Sequence, residues 1–228
     1  MAYLKQDTTI KQYQEFIQDV YGLNDDRFFS SWDMLTNIER FATRGLKGIR
    51  KNDKARTILN LLIALSWLVS MLNQLHIDLE TEVWKRFPYL CSYCGCCPCS
   101  CKEKKVQSRQ EIIRDENKRP RTLEEFQLMF EKIYPAKTRT LEQAGIHMAE
   151  EVGELTEAML VYRGGHKEED FKAIPLEASD LFSCIMGVFN SMGENMAKEL
   201  SLMFSDNCHE CHQIPCQCNF TTVVEFKS

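Results

Sequence analysis

Residues 208–218 have the sequence CHECHQIPCQC, and residues 91–101 have the sequence CSYCGCCPCSC. Both stretches contain the spacing C-x2-C-x4-C-x-C, with a proline directly before the third cysteine of that spacing. The two patterns are 117 residues apart, about half of the 228-residue chain. A pattern repeated at this distance indicates an internal duplication.

The rest of the chain repeats in the same way. Residues 9–22, TIKQYQEFIQDVYG, match residues 122–135, TLEEFQLMFEKIYP, in the helical spacing of their apolar side chains. Before the cysteines, residues 81–91 likewise match residues 198–208. The sequence therefore predicts two repeats, 1–101 and 120–228, joined by a charged linker at 102–119 that is either irregular or a solvated helix.

Helical periodicity dominates each repeat. In the second repeat it predicts four helices, and the glycines of YRGGHK (162–167) are expected to stop the second of them, as GLKG (45–48) does in the first repeat. The predicted helices are Thr122–Tyr134, Arg139–Arg163, Glu169–Met192 and Glu194–Phe204. Only NFTTVVEF (219–226) alternates like a strand. The expected fold class is all-α, with two tandem four-helix units built as antiparallel bundles.

The two long helices of the second repeat carry paired carboxylates. EEVGEL (150–155) and EASDL (177–181) both place two acids three residues apart, followed by leucine, at the edge of the apolar stripe. Four ionised carboxylates about 5 Å apart repel by roughly 3 kcal/mol per pair. A hard divalent cation, Mg²⁺ or Mn²⁺, would neutralise them and bind phosphate oxygens. The alternative is a pair of solvated acidic faces.

In these motifs and in their helical setting, the second repeat resembles the all-α nucleotide pyrophosphohydrolases of the MazG type, over about 80 residues. The resemblance implies Mg-dependent hydrolysis of a nucleoside triphosphate to monophosphate and pyrophosphate. It implies that magnesium is bound by Glu151, Glu154, Glu177 and Asp180. Glu150 is then a further ligand or positions the nucleophile. The cysteine segments do not belong to the family pattern.

The first repeat has lost this set. Sequence alignment places Asn37 and Arg40 at the positions of the first acidic pair, and Asn60 and Ile63 at those of the second. We therefore expect one active and one degenerate unit. MazG-type proteins act as dimers, so the resemblance implies an intramolecular pseudo-dimer in which the degenerate unit lends cations. The candidate substrate-binding residues are Arg163, Lys167, Lys172, Lys85 and Arg86, although solvated basic faces are an alternative.

The cysteines are expected to be metal ligands, because thiols stay reduced in the cytoplasm. Each four-cysteine frame fits one structural Zn²⁺, two per chain, with an iron–sulfur cluster as the rival. The zinc ligands would be Cys91, Cys94, Cys99 and Cys101, and Cys208, Cys211, Cys216 and Cys218. Cys184 is predicted to be a core thiol, His147 a helix-surface residue and His166 a loop residue.

Composition narrows the function classes. The chain carries a net charge of −5, which disfavours nucleic acid as a partner. The start of the sequence has no signal-peptide pattern, and the longest apolar stretch (58–72) contains Asn60, Ser66 and Ser70, so we expect a soluble cytoplasmic protein without a membrane span. Besides the enzyme, a non-catalytic nucleotide sensor or a zinc-stabilised interaction protein remains open, as does a homo-oligomer.

Overall fold

A computed structural model describes residues 3–105, 108–110 and 112–219. Within these ranges all regular structure is helical, which confirms the all-α class. The predicted strand-like stretch 219–226 lies outside the described residues apart from Asn219. The helices are α1 (Ile10–Phe28), α2 (Ser31–Arg50), α3 (Lys54–Gln74), α4 (Leu79–Arg86), α5 (Cys101–Lys104), α6 (Leu123–Ile133), α7 (Leu141–Gly165), α8 (Glu168–Phe171), α9 (Ala173–Met192) and α10 (Met196–Met203), with 3-10 turns at Glu116–Lys118 and Ala136–Thr138.

The chain divides into two compact units. Unit 1 consists of Met1–Asp78 and Ala197–Ser228, and unit 2 consists of Leu79–Met196. These units differ from the predicted halves 1–101 and 120–228. Each unit takes its last helix and its cysteine segment from the opposite repeat. Sequence similarity identified the repeats, but it contained no information about which repeat a terminal segment packs against.

Unit 1 is built on α3, which packs against α1 and α2. Phe204 of the incoming C-terminal segment inserts its ring beside those of Tyr13, Phe16 and Tyr21 on α1, with ring centroids 5.2–6.4 Å apart. Such aromatic pairs stabilise a core beyond their buried area. By length and by a mean hydropathy of 1.7, α3 is apolar enough to cross a membrane, but 67% of that apolar window is buried inside the protein, as in a core helix.

Unit 2 is built on α9, which packs against α4, α6 and α7. Phe87, which directly follows α4, contacts Phe130 and Tyr134 with ring centroids 5.2 and 6.2 Å apart. The predicted linker 102–119 is part of this unit. The indole Nε1 of Trp84 donates to Glu116 at 2.9 Å, and Arg119 pairs with Glu80 at 3.2 Å.

The same side-chain hydrogen bonds hold both units. In unit 1, Asn73 donates to the Gln14 carbonyl at 3.0 Å, and the Gln14 amide donates to the Ile77 carbonyl at 2.6 Å. In unit 2, Asn190 donates to the Gln127 carbonyl at 3.2 Å, and the Gln127 amide donates to the Glu194 carbonyl at 2.7 Å. Asn73 of α3 and Asn190 of α9 are therefore equivalent positions. They are 117 residues apart, the same offset as between the two cysteine segments.

The cysteine segments are attached by one further repeated bond. The Cys216 amide donates to the Val20 carbonyl at 2.7 Å in unit 1, and the Cys99 amide donates to the Ile133 carbonyl at 2.8 Å in unit 2. Each cysteine segment is therefore joined by a backbone hydrogen bond to a helix of the other repeat, in the middle of α1 in unit 1 and at the end of α6 in unit 2.

Of the two predicted glycine stops, the one at YRGGHK is confirmed and the one at GLKG was wrong. Helix α2 continues through Gly45 and Gly48, and α7 continues through Gly165 to a left-handed cap at His166. A Cβ on Gly45 would lie 2.6 Å from Leu61 Cδ2, and one on Gly48 would lie 2.9 Å from the Thr57 nitrogen. These two glycines therefore allow α2 and α3 to pack closely.

Candidate active site

Three of the predicted ligands lie together in unit 2. Glu151 of α7 and Glu177 and Asp180 of α9 each place a carboxylate oxygen within 4.8 Å of the other two, and this group could hold a metal ion. Glu151 and Asp180 are buried, and Glu177 is half-buried. We call these residues the carboxylate cluster.

The predicted apolar stripes explain this geometry. Except for the half-buried Leu141, all residues of the two stripes are buried, and they turn the carboxylate edges of α7 and α9 toward each other. A capping box at Thr140 fixes where α7 starts. The buried stripe residues are Met148, Val152, Leu155 and Met159 on α7, and Ile174, Ala178, Leu181, Ile185 and Val188 on α9.

Two of the three acids have a cationic partner. Arg86 of α4 donates through Nε to Oδ1 of Asp180 at 3.0 Å and through Nη2 to Oδ2, and only 9% of the arginine side chain is exposed. His147 Nε2 lies 3.0 Å from Glu151 Oε1. Hydrogen bonds to Cys184 and Glu151 raise the pKa of His147 to about 10, so its ring is cationic at neutral pH.

The third acid, Glu177, is left with excess negative charge around it. Burial and the neighbouring charge of Asp180 raise its pKa to about 7. Among the described residues, Oε2 of Glu177 and Oε2 of Glu151 are buried and accept no hydrogen bond from the protein. Buried oxygens without a donor are rare in proteins and point to a bound ion or water.

The two remaining predicted acids lie at the edge of the cluster. Glu154 is exposed one turn beyond Glu151, and its charge contributes to the raised pKa of Glu177. Glu150 is exposed and precedes Glu151 by one residue, which turns it about 100° away around the helix. The structure therefore places Glu154 close to the cluster and Glu150 on a different face.

Of the predicted substrate-binding cations, only Arg86 contacts the cluster. Lys85 pairs with Glu82 at 2.6 Å. Arg163 is nine residues beyond Glu154, about 14 Å along the helix axis. Lys167 and Lys172 are exposed on either side of α8, before the first turn of α9. These three lie at the end of the α7–α9 pair where α7 finishes and α9 begins.

Two features of the site were missed. The first is the position of Arg139. Residues 177, 180, 184 and 187 lie on one face of α9, and the guanidinium of Arg139 lies so close to Gly187 that a Cβ there would overlap it. Within the described residues, Nε of Arg139 is buried without an acceptor. The sequence signal was the helical spacing that puts Gly187 in line with the acids. The second feature is Cys184, predicted as a core thiol: it is buried as expected, but it also contacts His147 Nδ1 at 3.7 Å.

The eight frame cysteines form two separate groups, one in each unit, and each group could hold a metal ion. The hydrogen-bonded sulfur pairs within them are 3.5–4.0 Å apart, and all eight thiols are free. A tetrahedral zinc with Zn–S bonds of 2.3 Å requires sulfurs roughly 3.8 Å apart. The backbone donates to sulfur in the same way in both groups, from Ser100 to Cys94 and from Gln217 to Cys211.

The side chains outside the two frames have other partners. His209 Nδ1 lies 3.1 Å from the Tyr21 hydroxyl, and Lys104 donates to Cys96 at 3.2 Å. Cys97 is exposed. The four-cysteine frames, rather than these neighbours, are therefore the groups with the geometry of a metal site.

Comparison of the chain with protein-family models, with curated proteins and with solved structures finds no match. The resemblance to MazG-type enzymes therefore rests on the acidic motifs of the second repeat and on their helical setting.

Proposed function

We propose that unit 2 is a magnesium-dependent nucleotide pyrophosphohydrolase that cleaves a nucleoside triphosphate to monophosphate and pyrophosphate. The observation that supports it most directly is the carboxylate cluster with its two buried, unpartnered oxygens on Glu151 and Glu177. The family resemblance supplies the reaction type.

The donor set fits a hard divalent cation. Oxygen ligands from Glu151, Glu177 and Asp180 would hold it, and Glu154, one turn along α7, would complete the set. When bound, Mg²⁺ or Mn²⁺ would polarise the phosphoryl oxygens and offset their charge.

The protein's own cations fit the substrate. Arg86 uses two of its five N–H groups on Asp180, and in this proposal its remaining donors contact phosphate oxygens. Arg139 lies over Gly187, seven residues beyond Asp180 and about 10 Å along α9, a span comparable with a triphosphate chain. These two arginines would hold the phosphates at either end of the stripe, while His147 keeps Glu151 oriented. Glu150, on another face, would act only through water.

We propose that the cysteine groups are structural zinc sites, two per chain, and that the two units form the expected intramolecular pseudo-dimer. The repeated amide bonds and the repeated sulfur geometry support this assignment. Unit 1 would be the degenerate copy. We propose that the whole protein is cytoplasmic.

One observation favours the alternative, a non-catalytic nucleotide-binding or interaction protein. Arg86 already neutralises Asp180 through two hydrogen bonds, and a buried arginine–carboxylate pair can serve structure alone. In that case nucleotide would bind without turnover.

Pyrophosphate release from a panel of ribo- and deoxyribonucleoside triphosphates with Mg²⁺ tests the proposal. We expect turnover of at least one substrate, reduced by at least about 100-fold in Glu177→Gln. Glu157→Gln, an exposed acid on α7 outside the cluster, is the matched control and should retain activity. Nucleotide binding without turnover would establish the alternative.

A further inference from the structure

Unit 1 contains a cavity of about 520 Å³ that is lined entirely by its own residues. Its walls come from the end of α1, from α2 and α3, and from the incoming C-terminal segment. The aromatic lining includes Phe28, Phe29, Phe41 and Trp67. A volume of this size is typical of small-molecule sites.

The cavity corresponds in position to the carboxylate cluster of unit 2. The α3–α9 offset fixed by the amide bonds makes Ile63 the counterpart of Asp180, and the eight-residue helices α10 and α4 make Met203 the counterpart of Arg86. Both Ile63 and Met203 line the cavity. The buried ion pair of unit 2 thus corresponds to two apolar side chains in unit 1.

The opposite wall shows the same replacement. Counted from the capping boxes of α2 and α7, Phe41 is the counterpart of Glu151 and Phe29 is the counterpart of Arg139. This corrects the sequence alignment, which had placed Asn37 opposite Glu151. Phe29 packs edge-to-face on Trp67, with ring centroids 5.1 Å apart, and Trp67 is the counterpart of Cys184.

One buried acid lies in this aromatic lining. Asp25 is 6% exposed and hydrogen-bonds Ser70, and both residues line the cavity. This carboxyl group disfavours a second acidic group, such as a carboxylate or a phosphate, beside it in the interior of the cavity. It favours N–H donors, and the aromatic walls favour a planar ring.

We infer that this cavity is a binding site for an uncharged heteroaromatic ring that bears N–H donors, of the size of a nucleoside. The ring lies among Phe28, Phe29 and Trp67, and its donors face Asp25. The inference does not depend on turnover in unit 2.

Calorimetric titration of the full-length zinc-loaded protein with adenosine, guanosine, cytidine and thymidine tests this site. At least one should bind with 1:1 stoichiometry and a Kd below about 1 mM. The tryptophan indole N–H resonance that disappears in Trp67→Phe should shift on titration. The inference is overturned if none of the nucleosides binds at about 5 mM, which is 5-fold above the expected upper limit of Kd. It is also overturned if dodecanoate binds and the nucleosides do not.

Three variants locate the binding. Stacking on an aromatic side chain contributes about 5- to 150-fold to base affinity, so Trp67→Ala should weaken binding by at least about 10-fold. Phe28→Ala removes a ring that is 64% exposed and leaves the core intact, and it should also weaken binding. Leu202→Ala, an exposed control on α10 outside the cavity, should not.

The same titration with Glu177→Gln separates this site from the carboxylate cluster. Binding should persist unchanged in that variant. If nucleoside binding is lost in Glu177→Gln but unaffected by Phe28→Ala and Trp67→Ala, the nucleoside occupies unit 2 and the inference is wrong. Because nucleosides carry no phosphate, neither result depends on whether unit 2 hydrolyses triphosphates.

Discussion

The cavity of unit 1 and the carboxylate cluster of unit 2 occupy matching places but have opposite chemistry. Both units have the side-chain hydrogen bonds of the equivalent asparagine and glutamine residues, and both have an attached cysteine segment. In both, a buried phenylalanine precedes that segment, Phe204 in unit 1 and Phe87 in unit 2. The side chains between these fixed points are acids and arginines in unit 2 and aliphatic and aromatic groups in unit 1. The comparison teaches that the framework is stabilised away from the site, so the site can change without loss of the fold.

The largest expected effect concerns the four-cysteine group that is present in each unit. Zinc binding at such sites contributes on the order of 10 kcal/mol, comparable with the whole stability of a domain. We predict that Cys94→Ser and Cys211→Ser each reduce bound zinc from about two per chain to about one. Cys94→Ser should unfold unit 2, and Cys211→Ser should unfold unit 1.

Metal analysis and hydrogen exchange at α1 and α6 measure this prediction. Cys97→Ser, an exposed cysteine outside the frame, is the control and should change neither quantity. A protein that keeps both units folded without zinc, or that contains iron, would contradict it.

The second effect tests whether unit 2 tolerates the chemistry of unit 1. Asp180→Ile leaves the buried Arg86 without its partner, which should cost about 3–5 kcal/mol of unfolding free energy. Adding Arg86→Met recreates the Ile63 and Met203 pair of unit 1 and should restore stability to within about 1 kcal/mol of the wild type. Urea unfolding of the three proteins measures the cycle, and a double variant as unstable as the single one would refute the correspondence.

The third effect concerns the buried acid of unit 1. Burial, only partly opposed by the Ser70 hydrogen bond, raises the pKa of Asp25 from its ordinary value of 3.8 to about 7. A group whose folded-state pKa is raised stabilises the fold below its unfolded pKa, and this contribution is lost as pH rises through the folded pKa. The unfolding free energy should therefore fall by about 2 kcal/mol between pH 5 and 7.

Asp25→Asn should remove this part of the pH dependence. The unfolding free energies of the wild type and of the variant are measured at each pH, and their difference is compared across the range. Asp26→Asn, at an exposed neighbouring position, serves as the control. A constant difference between wild type and Asp25→Asn across that range would show that the carboxyl group does not titrate there.

The smallest effect concerns the glycine beside Arg139. Gly187→Ala should displace the guanidinium and reduce kcat/KM by roughly 10-fold, with little change in stability, because the displaced group is the end of a flexible side chain. Gly153→Ala on α7 meets no atom within 4 Å and should leave activity unchanged while stabilising the helix by up to about 1 kcal/mol. Equal activities of the two variants would remove Arg139 from the site.

The sequence predicted what is periodic and local. The four helices of the second repeat, the buried stripes of α7 and α9, and the meeting of Glu151, Glu177 and Asp180 follow from helical spacing. The pairing of Arg86 with Asp180 and the position of Arg139 depend on tertiary packing between segments distant in sequence. Gly45 was interpreted wrongly, because a glycine that ends a helix and one that lets a neighbouring helix pack closely look the same in the sequence.

The attachment of the cysteine segments has a consequence for the order in which the protein is made. The bond that closes unit 2 joins Cys99 and Ile133, 34 residues apart, whereas the one that closes unit 1 joins Val20 and Cys216, 196 residues apart. A chain leaving the ribosome from its N-terminus can therefore assemble unit 2 before the C-terminal segment has emerged. In helices α1 to α3, the rings of Tyr13 and Phe16 then lack their contact with Phe204 until Phe204 has left the ribosome. The unit that begins first is completed last, and until then its uncovered apolar side chains make it prone to aggregation.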